Sequence, residues 1–136
     1  MEDVSFSIRS TSTDKELRFF APSEYAFSAE LRSTELYTVR HIYCPLEPSE
    51  FAQFFSRIAS YESPWKDSEQ CSSLEGDLSI SACCSPLGIV TFSISMHRQF
   101  GGPEEWCVSS DITAELGQLP SIATAAGRFF SALASV

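Results

Sequence analysis

The hydrophobic period of the chain changes along its length, and this change constrains the fold more than any other feature of the sequence. Up to about residue 43, apolar and polar residues alternate, which is the pattern of half-buried β-strands. Apolar residues then recur at helical spacing over about 48–61, where Pro48 suits the first turn of a helix. Alternation returns over 78–112, and a second helical pattern covers about 119–134. The order is therefore strands, a helix, strands and a helix.

Seven segments carry the strand pattern, and no long parallel crossover joins them. They are 4–8, 17–20, 25–31, 36–43, 78–83, 89–96 and 106–112. We therefore predict an α+β fold: a mostly antiparallel sheet of about six to seven strands with the two helices packed on it. The chain is one domain, 1–136, because its length is typical of a single core. We predict a polar connector over 63–77, and the orientation of 36–43 stays open because both of its faces are mixed.

The charge balance excludes two classes of partner. The chain has 18 acidic and nine basic residues, a net charge of -9. Binding to nucleic acid or to an anionic membrane needs a positive surface, so we expect neither. Residues 47–77 hold seven of the acids against two bases, which favours a basic partner. The plainer alternative is that the charge only keeps the protein in solution.

No targeting or membrane-spanning segment is visible in the sequence. No apolar run approaches the roughly 18 residues that cross a bilayer. The N-terminus carries Glu2 and Asp3, whereas a signal peptide begins with basic residues and an apolar stretch. We therefore expect a cytoplasmic protein.

The residues that usually carry catalysis do not form a recognisable set. The five cysteines and two histidines lack the paired spacing of zinc ligands, so we predict no metal and no cofactor. There is no nucleophile elbow and no glycine-rich phosphate loop. Two weak alternatives are a His97–Cys107 dyad across a hairpin and an acid–base pair of Glu75 and Asp77. We expect no enzymatic activity.

Acids and tryptophans form the candidate partner-binding surface. Carboxylates would pair with lysine and arginine on the partner, and a tryptophan beside them can anchor an interface. The alternative is that the acids are solvated turn residues and that each tryptophan lies at the edge of the core. The candidate residues are Glu62, Trp65, Asp67, Glu69, Glu75, Asp77, Glu104, Glu105 and Trp106.

Three segments, together with Trp65 and Trp106, resemble a known pattern. They are Ser73-Leu74-Glu75-Gly76-Asp77-Leu78, Leu87-Gly88-Ile89-Val90 and Leu116-Gly117-Gln118-Leu119. In these segments the chain resembles an uncharacterised bacterial domain family whose layout is similar to WapI-type immunity proteins of polymorphic toxin systems. The resemblance implies a non-enzymatic α+β domain that binds and blocks a cognate toxin, which would be basic, as many nucleases are. No binding residue carries over, because the contact surfaces of such proteins vary.

The alternative function is small-molecule binding between the sheet and the helices. Four phenylalanines would line such a site: Phe51, Phe55, Phe92 and Phe129. A cavity beside these rings would favour this alternative, and a filled core would count against it.

Overall fold

The fold consists of eight strands and two helices, seen in a computed structural model. The model describes residues 4–44, 50–98 and 104–135, with side chains described to residue 132. The strands of the first half are β1 (Ser5–Arg9), β2 (Glu16–Phe20), β3 (Ala26–Arg32) and β4 (Tyr37–Tyr43), followed by the helix α1 (Glu50–Ala59). The second half contains β5 (Glu69–Ser72), β6 (Leu78–Cys84), β7 (Ile89–Arg98) and β8 (Trp106–Glu115), then a short 3-10 turn (Leu116–Gln118) and α2 (Leu119–Ser135).

The strands form two antiparallel sheets, so the prediction of one sheet with six to seven strands is wrong. The first sheet has the order β1-β2-β3-β4 and the second β5-β6-β7-β8. The α+β class, the antiparallel pairing and the two helices are confirmed. Each half is thus four strands followed by a helix.

The strand absent from the prediction is β5, which lies within the predicted connector 63–77. Its four residues, Glu-Gln-Cys-Ser, do not alternate apolar with polar, so periodicity could not reveal them. Glu69 pairs with Ala82 of β6 and lies on the inner side, where a charge is normally unfavourable. Tertiary contacts compensate for this charge, as described below.

Phenylalanine rings from both sheets and both helices meet in the core. Phe6 stacks on Phe19 with ring centroids 4.6 Å apart, and Phe6 also contacts Phe129 of α2 at 5.5 Å. Phe55 of α1 reaches Phe92 of the second sheet at 6.4 Å. Each fully buried ring of this kind contributes about 1.5–3 kcal/mol to stability. The helices therefore hold the two sheets together through a shared aromatic core.

The helix predictions are confirmed in their cores and differ at their ends. The expected buried positions of α1, Phe51, Phe54, Phe55 and Ile58, are all buried. The helix ends at Ala59 rather than 61, and residues 48–49 lie outside the described residues. The second helix runs from Leu119 to Ser135, within one residue of the predicted 119–134. No helix in the described ranges is long and apolar enough to cross a membrane.

Two sets of polar contacts connect the sheets. The first set joins the β1–β2 turn to β8: the Thr11 backbone N–H donates to the Thr113 carbonyl at 2.9 Å. The second set joins β4 to the start of β6: the Arg40 guanidinium forms an ion pair with the Asp77 carboxylate at 2.8 Å. The Arg40 Nε also donates to the His97 carbonyl at 2.9 Å. These contacts set the position of each sheet relative to the other.

Candidate functional site

The nine candidate residues fall at the two opposite ends of the second sheet. Glu62, Trp65 and Asp67 lie in the connector between α1 and β5, which enters the sheet beside the end of β6. The other end carries the β5–β6 turn with Glu75 and the approach to β8 with Trp106. The intervening β6 has seven residues and spans roughly 23 Å. This exceeds the Debye length of about 8 Å at physiological salt, so the two ends do not act as one charged surface.

We define the acidic end of the second sheet as Glu75, Glu104, Glu105 and Trp106. The three carboxylate side chains are exposed, and Trp106 is half-buried against the core. Strands β6 and β8 lie two positions apart in the sheet, so the β5–β6 turn and the start of β8 are about 10 Å apart. This distance is close to the Debye length, so salt weakens the addition of their potentials without removing it, and the exposed Arg98, opposite Trp106, offsets one of the three charges.

A tight turn displays Glu75 at this end. The Gly76 N–H donates to the Ser73 carbonyl at 3.0 Å, and Gly76 has φ +78°. The Ser85–Gly88 turn repeats this arrangement, with Gly88 at φ +85°. Glycine is favoured at both positions because a side chain strains a left-handed backbone. The Glu-Gly-Asp and Leu-Gly segments of the resemblance therefore have a local structural explanation.

Asp77 is not available to a partner in the same way as Glu75. Its carboxylate and the Arg40 guanidinium are each only 16% exposed, and they form the ion pair between the sheets. The Asp77 carbonyl also accepts the His97 backbone N–H at 2.9 Å. The predicted pairing of Glu75 with Asp77 is therefore absent: one carboxylate points to solvent and the other is held by Arg40.

Glu69 is likewise used inside the protein. Its carboxylate accepts a hydrogen bond from the Tyr61 hydroxyl at 2.6 Å and one from Arg57 Nε at 2.7 Å. The Tyr61 hydroxyl and then the Arg57 guanidinium hold the pKa of Glu69 below its usual value. The same contact with Glu69 raises the pKa of Tyr61. These contacts allow β5 to carry an acid on its inner side.

The two tryptophans differ in accessibility. Trp65 is 7% exposed and stacks on Tyr61 with ring centroids 4.7 Å apart. Its buried indole N–H has no hydrogen-bond partner within the described part of the chain. Trp65 therefore belongs to the core, which is the alternative that the sequence left open. Trp106 keeps an accessible edge.

The exposed acids of the connector, Glu62 and Asp67, stand apart from the acidic end. Neither forms a hydrogen bond or an ion pair with any residue that the structure describes. Lys66 lies between them in the sequence and reduces the local negative charge. The connector is thus a weaker candidate surface than the acidic end.

Of the two catalytic alternatives, the structure brings only His97 and Cys107 side by side. His97 and Cys107 are directly opposite in the β7–β8 ladder, as the sequence suggested, but the Cys107 thiol is placed 3.8 Å from the Ser109 hydroxyl. Among the described residues, no three His, Cys, Asp or Glu side chains are grouped as metal ligands would be. Cys71 is half-buried against the core, and desolvation there raises its pKa to about 12, far from that of a reactive thiol.

The space proposed for a small molecule is filled by side chains. Phe51, Phe55, Phe92 and Phe129 are each at most 1% exposed. A cavity of about 30 Å³ lies beside Phe51, near Cys44 and Ser73, whereas ligand sites usually measure roughly 300–1,000 Å³. This packing counts against the alternative function.

An open polar groove of about 490 Å³ lies elsewhere, on the outer face of the second sheet. Serine hydroxyls line most of it, including those of Ser79, Ser81, Ser93 and Ser95. The sequence has these serines at positions that alternate with apolar residues, which is typical of solvent-facing strand positions. It did not single out the outer side of β4, where Tyr37, Val39 and Tyr43 are exposed.

Comparison with known proteins identifies a family but no function. The sequence model of one protein family, described as "Family of unknown function (DUF6228)", matches residues 3–133. No curated protein and no solved structure matches the chain. The family description names no activity, so it supports an uncharacterised domain family and not the similarity to WapI-type immunity proteins. Because the match spans nearly the whole chain, this protein belongs to the DUF6228 family.

Proposed function

We propose that this protein is a non-enzymatic inhibitor that binds a basic protein through the acidic end of the second sheet. The observation that carries the proposal is the set of exposed carboxylates around the half-buried Trp106. The partner would be a cognate toxin, with nucleases as one candidate class, as the sequence resemblance implies. The protein would act in the cytoplasm without a cofactor, nucleic acid or membrane.

Electrostatics supports this choice of surface over the connector. Of the acids predicted to bind, Glu69 and Asp77 are neutralised by Arg57 and Arg40. Glu75 and Glu104 have no ion pair or hydrogen bond with another described residue, so their charge is available to a partner. An exposed negative cluster on a chain of net charge -9 attracts a basic protein and accelerates encounter. Trp106 would then supply apolar contact area that charge alone does not provide.

The first test is to capture the partner with the tagged full chain from an extract of the source organism. We expect one basic chain to be retained in stoichiometric amount. Its association rate is then measured for the wild type and for Glu75→Lys/Glu104→Lys. The variant should associate about tenfold more slowly at low salt, and the difference should shrink at high salt because ions screen exposed charges.

The matched control is Glu24→Lys/Glu35→Lys, which reverses two exposed acids next to β3 and β4 in the first sheet. Both variants bring the net charge from -9 to -5, so a general charge effect would slow them equally. Glu69 and Asp77 are left unchanged, because their reversal would break internal ion pairs. Retention of no chain, or equal slowing of both variants, would contradict the proposal.

A further inference from the structure

The outer edge of β4 has unpaired backbone groups. The Cys44 N–H donates to the Tyr25 carbonyl at 2.6 Å, so Cys44 and Tyr25 form a hydrogen-bonded pair that continues the β3–β4 ladder. Hydrogen-bonded pairs recur at every second residue of an antiparallel ladder, which we call its parity. Even-numbered residues of β4 therefore bond to β3, and odd-numbered residues direct their N–H and C=O groups away from it. These are Tyr37, Val39, His41 and Tyr43. Within the described ranges, no backbone hydrogen bond reaches them from the other side.

The same four residues have their side chains on the outer face of the first sheet. Tyr37 is 65% exposed, Tyr43 47% and Val39 42%, and His41 is also exposed. The only charged residue of the strand, Arg40, is directed to Asp77 on the other face. The strand contains no lysine and no proline, which proteins commonly use to prevent pairing at an edge. β4 is therefore a seven-residue edge open to another strand.

The other three sheet edges carry protective features: β1 has only five residues and ends in the exposed Arg9. β5 has four residues, and Arg57 donates to the Gln70 carbonyl on its outer side. On β8, Lys15 donates to the Asp111 carbonyl and Thr11 to the Thr113 carbonyl, and the latter contact also joins β8 to the turn after β1. β4 has no such feature among the residues described.

We propose that β4 pairs antiparallel with β4 of a second copy of this chain, giving a two-fold symmetric dimer with a continuous eight-stranded sheet. The parity requires odd-numbered residues to face odd-numbered residues, and among these registers the one centred on Arg40 gives the longest overlap. Tyr37 then lies opposite Tyr43 of the second copy, and Val39 opposite its His41. All four outward-facing residues of each strand pair in this register, so the edge is complementary to itself.

Charge at the axis permits this register. Arg40 of each copy would face its counterpart across the axis, where two free cations would repel each other. Each guanidinium is instead already paired with Asp77 and directed away from the outer face. Glu30, on the neighbouring strand, is buried beneath the Tyr37 hydroxyl that donates to it at 3.0 Å. The edge therefore presents aromatic and neutral groups, although the whole chain is acidic.

The size of the contact predicts a concentration-dependent dimer. One strand edge with two tyrosines and a valine buries less than the roughly 800 Å² per partner of a standard interface. We expect mostly monomer near 1 µM and mostly dimer near 1 mM, at twice the 15.0 kDa chain mass, because weak interfaces of this size bind in the micromolar range. Salt should favour the dimer, because it screens repulsion between two chains of net charge -9. Salt should instead weaken binding of the basic partner under the proposed function. The dimer proposal and the inhibitor proposal can therefore fail independently of each other.

The test is sedimentation velocity of the full chain over this concentration range, combined with amide hydrogen exchange. Dimerisation should protect the amides of Val39 and His41 at high concentration. The variant Val39→Lys/His41→Lys should weaken the dimer at least tenfold, because four lysines would meet at the axis. The control Leu74→Lys/Leu87→Lys makes a similar change at two exposed turn leucines of the second sheet and should dimerise like the wild type.

Three outcomes would overturn the inference. The first is a wild-type chain that stays monomeric up to 1 mM. The second is a dimer that persists in Val39→Lys/His41→Lys, once circular dichroism shows that this variant is folded. The third is a dimer that forms without protection of the β4 amides.

Discussion

The contact between Arg40 and Asp77 leads to the sharpest stability prediction. Arg40 links β4 to the second sheet through an ion pair at 2.8 Å and a hydrogen bond to the His97 carbonyl at 2.9 Å. Arg40→Met keeps the aliphatic stem but removes both bonds and leaves the Asp77 carboxylate, 16% exposed, without its cation. A hydrogen bond to a charged group contributes about 1.5–3 kcal/mol, and leaving a buried charge unpaired costs about 3–5 kcal/mol. Partial exposure reduces the second figure, so we expect a loss of about 2–3 kcal/mol.

Arg57→Met is the matched comparison, because Arg57 also bonds to one carboxylate and one backbone carbonyl. Arg57 is 44% exposed and its partner Glu69 21%, so solvent screens this pair more strongly. We expect about 0.5–1 kcal/mol for this variant. Urea unfolding of both variants gives the two losses, and a double-mutant cycle of Arg40→Met with Asp77→Asn isolates the coupling. A loss for Arg40→Met no larger than that for Arg57→Met would refute the argument that burial sets the strength of the pair.

Three further predictions concern single residues. Gly76→Ala should reduce the free energy of unfolding by about 1 kcal/mol, because φ at this position is +78°. Gly127→Ala should raise it by about 1 kcal/mol, because alanine is the better helix former and the added methyl group meets no neighbour. Chemical denaturation measures both changes. In the native protein a thiol reagent should modify exposed Cys83 faster than half-buried Cys71, whose pKa is raised to about 12. Equal rates by mass spectrometry would contradict this. Burial opposes ionisation of Glu16, but hydrogen bonds from two arginines and a serine outweigh it and lower its pKa. The stability that Glu16 contributes should therefore be lost as the pH falls through this lowered pKa, so the urea midpoints of the wild type and Glu16→Gln should converge at low pH.

The candidate site was only partly predictable, because charge in a sequence does not show which charges are already paired. Glu69 and Glu75 look alike in the sequence, yet one accepts hydrogen bonds from Tyr61 and Arg57 and the other points to solvent. Arg40 lies 37 residues from Asp77 in the chain, and only the docking of the two sheets brings them together. Trp65 could equally have been an anchor or a core residue until its burial was known.

The sequence by itself determined the features that depend on local periodicity and turn chemistry. Alternation specified most of the strands, the spacing of Phe51, Phe54, Phe55 and Ile58 specified the buried face of α1, and glycines marked the turns. Only the tertiary structure decided that the strands divide into two sheets, because strand pairing depends on contacts between distant segments. Tertiary contacts also explain β5, whose acidic inner residue is stabilised by partners from α1 and the connector that follows it. Among the described residues, the same docking also left the β4 edge without a neighbour, and its register with β3 decides which of its backbone groups are unpaired.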